Sequence, residues 1–129
     1  LYISPKSEYE SNGKIVLNSR NLRLIRRMVR DYHFRGSSPI NTMKMWKHVV
    51  EGEDIYIRPF RTTADFWINS VHKYEPMIFH HYLLPILEEV EPECEYQAKF
   101  TELKDTLELF YDLDKEIVPL DSLLREFIG

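Results

Sequence analysis

A single cysteine, Cys94, leaves this chain no partner for an internal disulfide, which fits a reducing compartment and reads as an inert thiol. No run of about 18 apolar residues and no charged-then-apolar leader occurs, so neither a membrane span nor a secretory signal is expected. The chain is therefore read as soluble and cytoplasmic, with no membrane partner. Glycine is scarce: the four present are scattered singly, so no G-x-x-x-x-G-K-[ST] phosphate cradle can be written anywhere. Internal repeats and low-complexity segments are missing as well. Methionine does not open the chain; Leu1-Tyr2-Ile3-Ser4 starts directly as an apolar strand, from which the chain is expected to be a piece of something longer.

What is present is a chain of 129 residues, 43% hydrophobic and 13% aromatic, an ordinary composition for one folded unit with a core. The formal net charge of -4 conceals a separation of sign. Residues 20–35 hold six arginines against one aspartate, a local charge of +5, while residues 88–116 hold eleven acids against three lysines, a local charge of -8. The two regions are expected to meet different partners.

The strand at Leu1–Ser4 should be buried. From Pro5 to Lys14 the chain is polar and carries Asn12-Gly13, the signal of a loop or irregular hairpin. Asn18 or Ser19 supplies a helix cap, and from Arg20 the pattern is helical. Leu22, Leu24, Ile25, Met28, Val29 and Tyr32 fill one side, with Arg20, Arg23, Arg26, Arg27 and Arg30 on a separate arc of roughly 120°. Arg35-Gly36 ends this helix, and Ser38-Pro39 opens a second that should stop near Gly52. Pro59 breaks the following segment. Residues 64–69 read as a short buried strand, 74–90 as a helix that Pro85 should kink or end early, and 97–112 as an amphipathic helix on Phe100, Leu103, Leu107 and Phe110 or Tyr111. The acidic stretch 88–95 between them is a solvated linker, and a final short helix opens at Pro119 and Asp121. The pattern gives an α/β fragment, mostly helical, with about two core strands whose sheet partners lie elsewhere.

The arginine stripe carries the strongest chemical signal. A helix needing only solubility mixes Lys and Glu in pairs, whereas five guanidiniums on one face repel one another and call for an anion. Guanidinium is permanently charged and presents a planar fork that matches phosphate oxygens, so polyphosphate or nucleic acid suits the stripe better than a lone carboxylate. An acidic protein partner and a merely solvated face are the alternatives. His72, Glu75, His80 and His81 suggest no metal, because adjacent histidines diverge on a helix and no further ligand completes a known spacing. Trp46, Phe66, Trp67 and Phe79 sit in apolar segments and read as core rather than as a base-stacking platform.

The run Arg23-Leu24-Ile25-Arg26-Arg27-Met28-Val29-Arg30-Asp31-Tyr32-His33-Phe34-Arg35-Gly36 resembles the lid helix of the uridine kinase family, whose pattern is RLxRRxxRDxxxRG. Tyr56 to Asn69, with Pro59 and Ala64-Asp65, resembles that family's passage into its last core strand. A closer similarity is to a bacterial branch in which a uridine-kinase-like domain follows a region like the N-terminal part of threonyl-tRNA synthetase. Residues 41–46 and 122–129 match that branch, so the likeness covers essentially the whole chain.

The resemblance implies the C-terminal part of a P-loop kinase fold. Residues 1–72 would hold the lid and last core strands, and residues 73–129 a C-terminal helical extension of the same domain. It implies an ATP-dependent nucleoside kinase in which Arg27, Arg30 and Arg35 contact phosphates, with Arg23, Asn69 and Ser70 on the cofactor side. ATP, magnesium and a pyrimidine nucleoside are the implied partners. The phosphate cradle, magnesium ligands and catalytic carboxylate would lie upstream of Leu1, so this piece alone should be inactive. Many uridine kinases read Arg-Gly-Arg where this chain has Arg35-Gly36-Ser37, which leaves the nucleoside open. The competing readings are an RNA-binding module using the arginine helix, and a catalytically silent interaction domain. Homo-oligomer formation is a further expectation, should an apolar face or sheet edge be exposed.

Overall fold

The computed structural model describes residues 1–4, 8–91 and 94–129. Helix predominates, and the described residues hold five α-helices and four short strands in two separate two-stranded sheets. Strand β1 (Tyr2–Ser4) is followed by a hairpin of β2 (Tyr9–Ser11) and β3 (Lys14–Leu17). Asn12 and Gly13 both take positive φ, 52° and 77°, the geometry a two-residue hairpin turn demands and an Asn-Gly pair supplies. The hairpin that Asn12-Gly13 announced is therefore present, and it makes strands beyond the two expected.

Helix α1 (Ser19–Arg35) is built as its sequence pattern dictates. The Asn18 side chain accepts a hydrogen bond from the Asn21 backbone N–H at 2.8 Å, closing the first turn. Gly36, at φ 59°, closes the last turn by donating its N–H to the Asp31 carbonyl. Leu22, Leu24, Ile25, Met28 and Val29 are fully buried, each contributing about 1.5–3 kcal/mol of apolar burial, while Tyr32 stays exposed. Helix α2 (Pro39–Gly52) starts as expected, with Ser38 Oγ accepting from the Asn41 N–H at 3.2 Å and Pro39 in the first turn. Its end is a correction. Gly52 keeps a helical φ of -63°, and the chain continues through a π-helical turn at Glu53–Ile57 into a 3-10 turn at Arg58–Thr62 that begins around Pro59. Side chains of α1 hold this continuation, because Arg23 and Arg20 grip Glu53 and Asp54.

Strand β4 (Trp67–Asn69) pairs in parallel with β1, Tyr2 opposite Trp67 and Ile3 opposite Ile68. Both strands were expected to be buried and are not: Ile3 is 59% exposed and Trp67 48%. Two strands cannot cover their own faces, and among the described residues the sheet holds only these two. The core reading of Phe66 and Trp67 falls with it, whereas Trp46 and Phe79 are buried.

Helix α3 (Glu75–Glu88) runs three residues past Pro85, since Ile86 and Leu87 are buried and hold the final turn in the core. Helix α4 (Gln97–Glu108) buries Phe100, Leu103 and Leu107 as expected but ends four residues early, leaving Tyr111 exposed. Phe110, beyond its end, meets Tyr9 edge-on at 5.6 Å. The last helix, α5 (Arg125–Ile128), is a single turn rather than one starting near residue 121, with Leu124 and Ile128 buried. Residues 92 and 93 of the acidic linker, and 5–7 of the early loop, lie outside the described residues.

The core gathers around α1, which packs against α2, α3 and α5. Side chains from residues 1–72 and 73–129 share that one core. No described helix is long and apolar enough to cross a membrane.

A candidate anion site on the arginine helix

The arginine stripe is not a solvated face. Arg26 is buried, and its Nε and Nη2 engage the two oxygens of Glu75, itself fully buried at the start of α3, with Nη2 to Oε2 at 2.8 Å. The same guanidinium donates to the Ser70 carbonyl at 2.8 Å and to Ser70 Oγ at 3.3 Å, and it lies 5.4 Å from the Phe127 ring centroid. A buried carboxylate demands this full set of partners, since an uncompensated charge there is far costlier than the pair is favourable. The backbone N–H of His72 adds a bond to Glu75 Oε2 at 3.2 Å. Tyr9, whose hydroxyl donates to the His72 carbonyl at 3.0 Å, has its pKa pushed up to about 12, chiefly by burial and then by the Glu75 charge, with Arg26 opposing.

Arg27, Arg30 and Arg35 meet a different situation. All three converge on the one carboxylate of Asp31, at 3.5 Å from Arg27 Nε, 3.7 Å from Arg30 Nε and 3.6 Å from Arg35 Nη1. These are ion-pair separations too long for good hydrogen bonds. Nε of Arg27, Nε of Arg30 and Oδ1 of Asp31 are buried without a hydrogen-bond partner among the described residues. Thr42 Oγ1 in α2 donates to Asp31 Oδ2 at 3.2 Å and fixes the carboxylate. Three cations share one anion, which leaves two positive charges uncompensated. Unit charges about 4 Å apart interact by about 4 kcal/mol near a protein surface, so the cluster strongly favours an incoming anion.

Arg23, Arg26, Arg27 and Arg30 line one side of a cleft of about 180 Å³, with Trp46, Val49 and Phe127 completing it. The sequence-derived candidates thus divide. Arg27, Arg30 and Arg35 are brought together, Arg27 and Arg30 at the cleft. Arg23 also lines it and is paired with Glu53 at 2.5 Å. Ser70 is engaged by Arg26, and the Asn69 side chain accepts from the Val71 N–H at 3.2 Å, which places both at the end of β4 in a supporting network. The histidines go separate ways: His80 Nδ1 lies 2.8 Å from the Leu107 carbonyl, His81 Nδ1 2.8 Å from Asp112, and His72 Nδ1 4.0 Å from Glu75.

Sequence reasoning missed Glu53, Glu75, Trp46 and Phe127 as neighbours of the arginines. The first two left no local signal, being far along the chain from their partners. Asp31 could have been found, since Arg27 and Arg35 each stand four residues from it on the same helix face. No protein-family model, no curated protein and no solved structure matches this chain.

Proposed function

We propose that this chain is the arginine-bearing C-terminal part of a uridine-kinase-like P-loop nucleoside kinase, which transfers the γ-phosphate of ATP to a nucleoside 5′-hydroxyl in the full-length protein. The observation that carries the reading is the convergence of Arg27, Arg30 and Arg35 on the single carboxylate of Asp31. That excess of positive charge falls on the run Arg23 to Gly36, which resembles the lid of that family. Phosphoryl transfer needs positioning and charge stabilisation more than covalent chemistry, and fixed guanidiniums provide both. Arg27 and Arg30 would meet phosphate oxygens, while Arg26 and Glu75 hold the helix that presents them.

The exposed parallel pair β1–β4 suits the same reading. Parallel strands in α/β proteins are covered on both faces, so in this proposal the pair belongs to a larger central sheet of the P-loop fold. Asp31, Glu53, Asp54 and Glu75 are each engaged by a guanidinium, so the carboxylates near the cleft are not placed to hold magnesium. Its ligands, and the phosphate cradle, would come from polypeptide outside these 129 residues.

The test is uridine-dependent ATP consumption by the full-length protein against the same protein carrying Arg27→Ala and Arg30→Ala. Loss of at least about a hundredfold in kcat/KM, the scale seen when charge-stabilising donors are removed, is the expected result. An intact protein inactive on every nucleoside offered would leave the arginine helix as an RNA-binding or interaction module. A salt-sensitive RNA affinity independent of ATP would then mark the former.

A further inference from the structure

Eight of the nine arginines of the chain lie in one neighbourhood, and the cleft at Arg27 and Arg30 accounts for only part of them. A second cleft, of about 90 Å³, adjoins the first and shares Arg23 with it. Arg20, Arg58 and Arg61 line this second lobe, together with Glu53, Asp54 and Tyr2. Asp54 serves two of these arginines, at 2.9 Å from Arg20 Nη2 and 3.2 Å from Arg58 Nη1. Arg61 forms no ion pair or side-chain hydrogen bond among the described residues. Its backbone is nevertheless fixed, because the Arg61 carbonyl accepts from the Trp67 indole N–H at 2.7 Å. Across both lobes, seven guanidiniums line the groove and Glu53 and Asp54 are its lining carboxylates among the described residues, in a chain whose overall charge is negative. Among the described residues no lysine lines either cleft, which favours an anion read through planar, forked contacts.

We propose that the lobe of Arg20, Arg58 and Arg61 is a second phosphate subsite, so that the groove takes a linear chain of phosphates rather than a single one. This rests on the reading of Arg27 and Arg30 as phosphate ligands. Size supports it: each lobe is smaller than the roughly 300–1,000 Å³ that encloses a drug-sized ligand, so neither holds a whole nucleotide. Both lobes carry arginine, and Arg23 stands at the junction, where a bridging phosphate of the chain would sit. The π-helical turn at Glu53–Ile57 builds the second lobe, since it carries Glu53 to Arg23 and Asp54 to Arg20.

Calorimetric titration of the protein with orthophosphate and with tripolyphosphate, at fixed ionic strength, separates the two lobes. Tripolyphosphate should bind at least about tenfold more tightly than orthophosphate, because it adds charge-assisted contacts in the second lobe. Arg61→Gln, which breaks no ion pair among the described residues, should weaken tripolyphosphate by about fivefold and leave orthophosphate unchanged. Arg27→Gln should weaken both anions. Tripolyphosphate binding that ignores Arg61→Gln but responds to Arg27→Gln overturns the second subsite and leaves the first standing. Indifference of both anions to Arg27→Gln removes the underlying reading of the arginine helix. Arg61-dependent binding of oligouridylate tighter than that of tripolyphosphate overturns the proposal by giving the groove to an RNA backbone.

Discussion

The two charged regions of this chain are built on opposite plans. Around α1 the charges are concentrated and largely withdrawn from water: Asp31, Glu53 and Glu75 are buried, and each is gripped by arginine from α1. In residues 88–116 every acid among the described residues is exposed. The partners there are sparse and lie at the surface, such as Lys99 with Glu102 and His81 with Asp112. The acidic region carries more formal charge yet each of its contacts is weak, because exposed charges are screened by solvent and salt. The arginine region has a smaller formal imbalance held in fixed positions, with Arg26, Arg27 and Arg30 largely shielded from solvent. A ligand responds to the second kind of charge, and that difference is why the arginine helix and not the acidic stretch is read as the site.

The contrast predicts very unequal mutational costs. Glu75→Ala leaves Arg26 buried and unpaired and should cost about 3–5 kcal/mol of unfolding free energy in a urea titration. A cost below about 1 kcal/mol would mean the pair is solvated like those of the acidic region. Gly36→Ala places a Cβ in open space but forces it to a φ of 59°, so only backbone strain acts, at about 1–2 kcal/mol. That loss should appear in the same titration, accompanied by weaker anchoring of Asp31 at the end of α1.

Tyr9 gives the arginine region a pH dependence. Its folded pKa, about 12, lies above its ordinary 10, so the unfolded chain loses the proton first as pH rises. The stabilisation is complete below about pH 10 and is lost as pH climbs toward about 12. Tyr9→Phe should flatten the stability profile across that window, and an unchanged profile would mean that burial and the Glu75 charge do not raise the Tyr9 pKa. The smallest effect belongs to the other region: Glu88→Gln and Glu91→Gln should shift unfolding free energy by no more than about 0.5 kcal/mol.

Local chemistry was legible in the sequence and long-range partnership was not. Asn18, Gly36, Ser38-Pro39 and Asn12-Gly13 act within a few residues of themselves, and the caps and the turn they announce are all formed. The apolar face of α1 was equally plain, since a helical period fixes which side chains share a side. Gly52 misled because a helix is ended by a competing conformation, and here Arg20 and Arg23 hold the chain in helical turns beyond it. Strand burial misled at Ile3 and Trp67 because apolar composition states a preference, while burial requires a neighbour to cover the face. At the site, the arginines were visible but their division of labour was not. Nothing in the run from Arg20 to Arg35 marks Arg26 as the one that turns inward, since Glu75 and Ser70 arrive from a distant segment.

The most direct test of the claim that α1 presents surplus positive charge to phosphate is a melting experiment. Tripolyphosphate, added at constant ionic strength, should raise the unfolding midpoint of the wild-type protein, because binding to the folded state alone stabilises it. The protein carrying Arg27→Gln and Arg30→Gln should show no such rise. A wild-type midpoint that tripolyphosphate leaves unmoved, or a rise that survives in the double variant, would contradict the assignment of the site to these arginines.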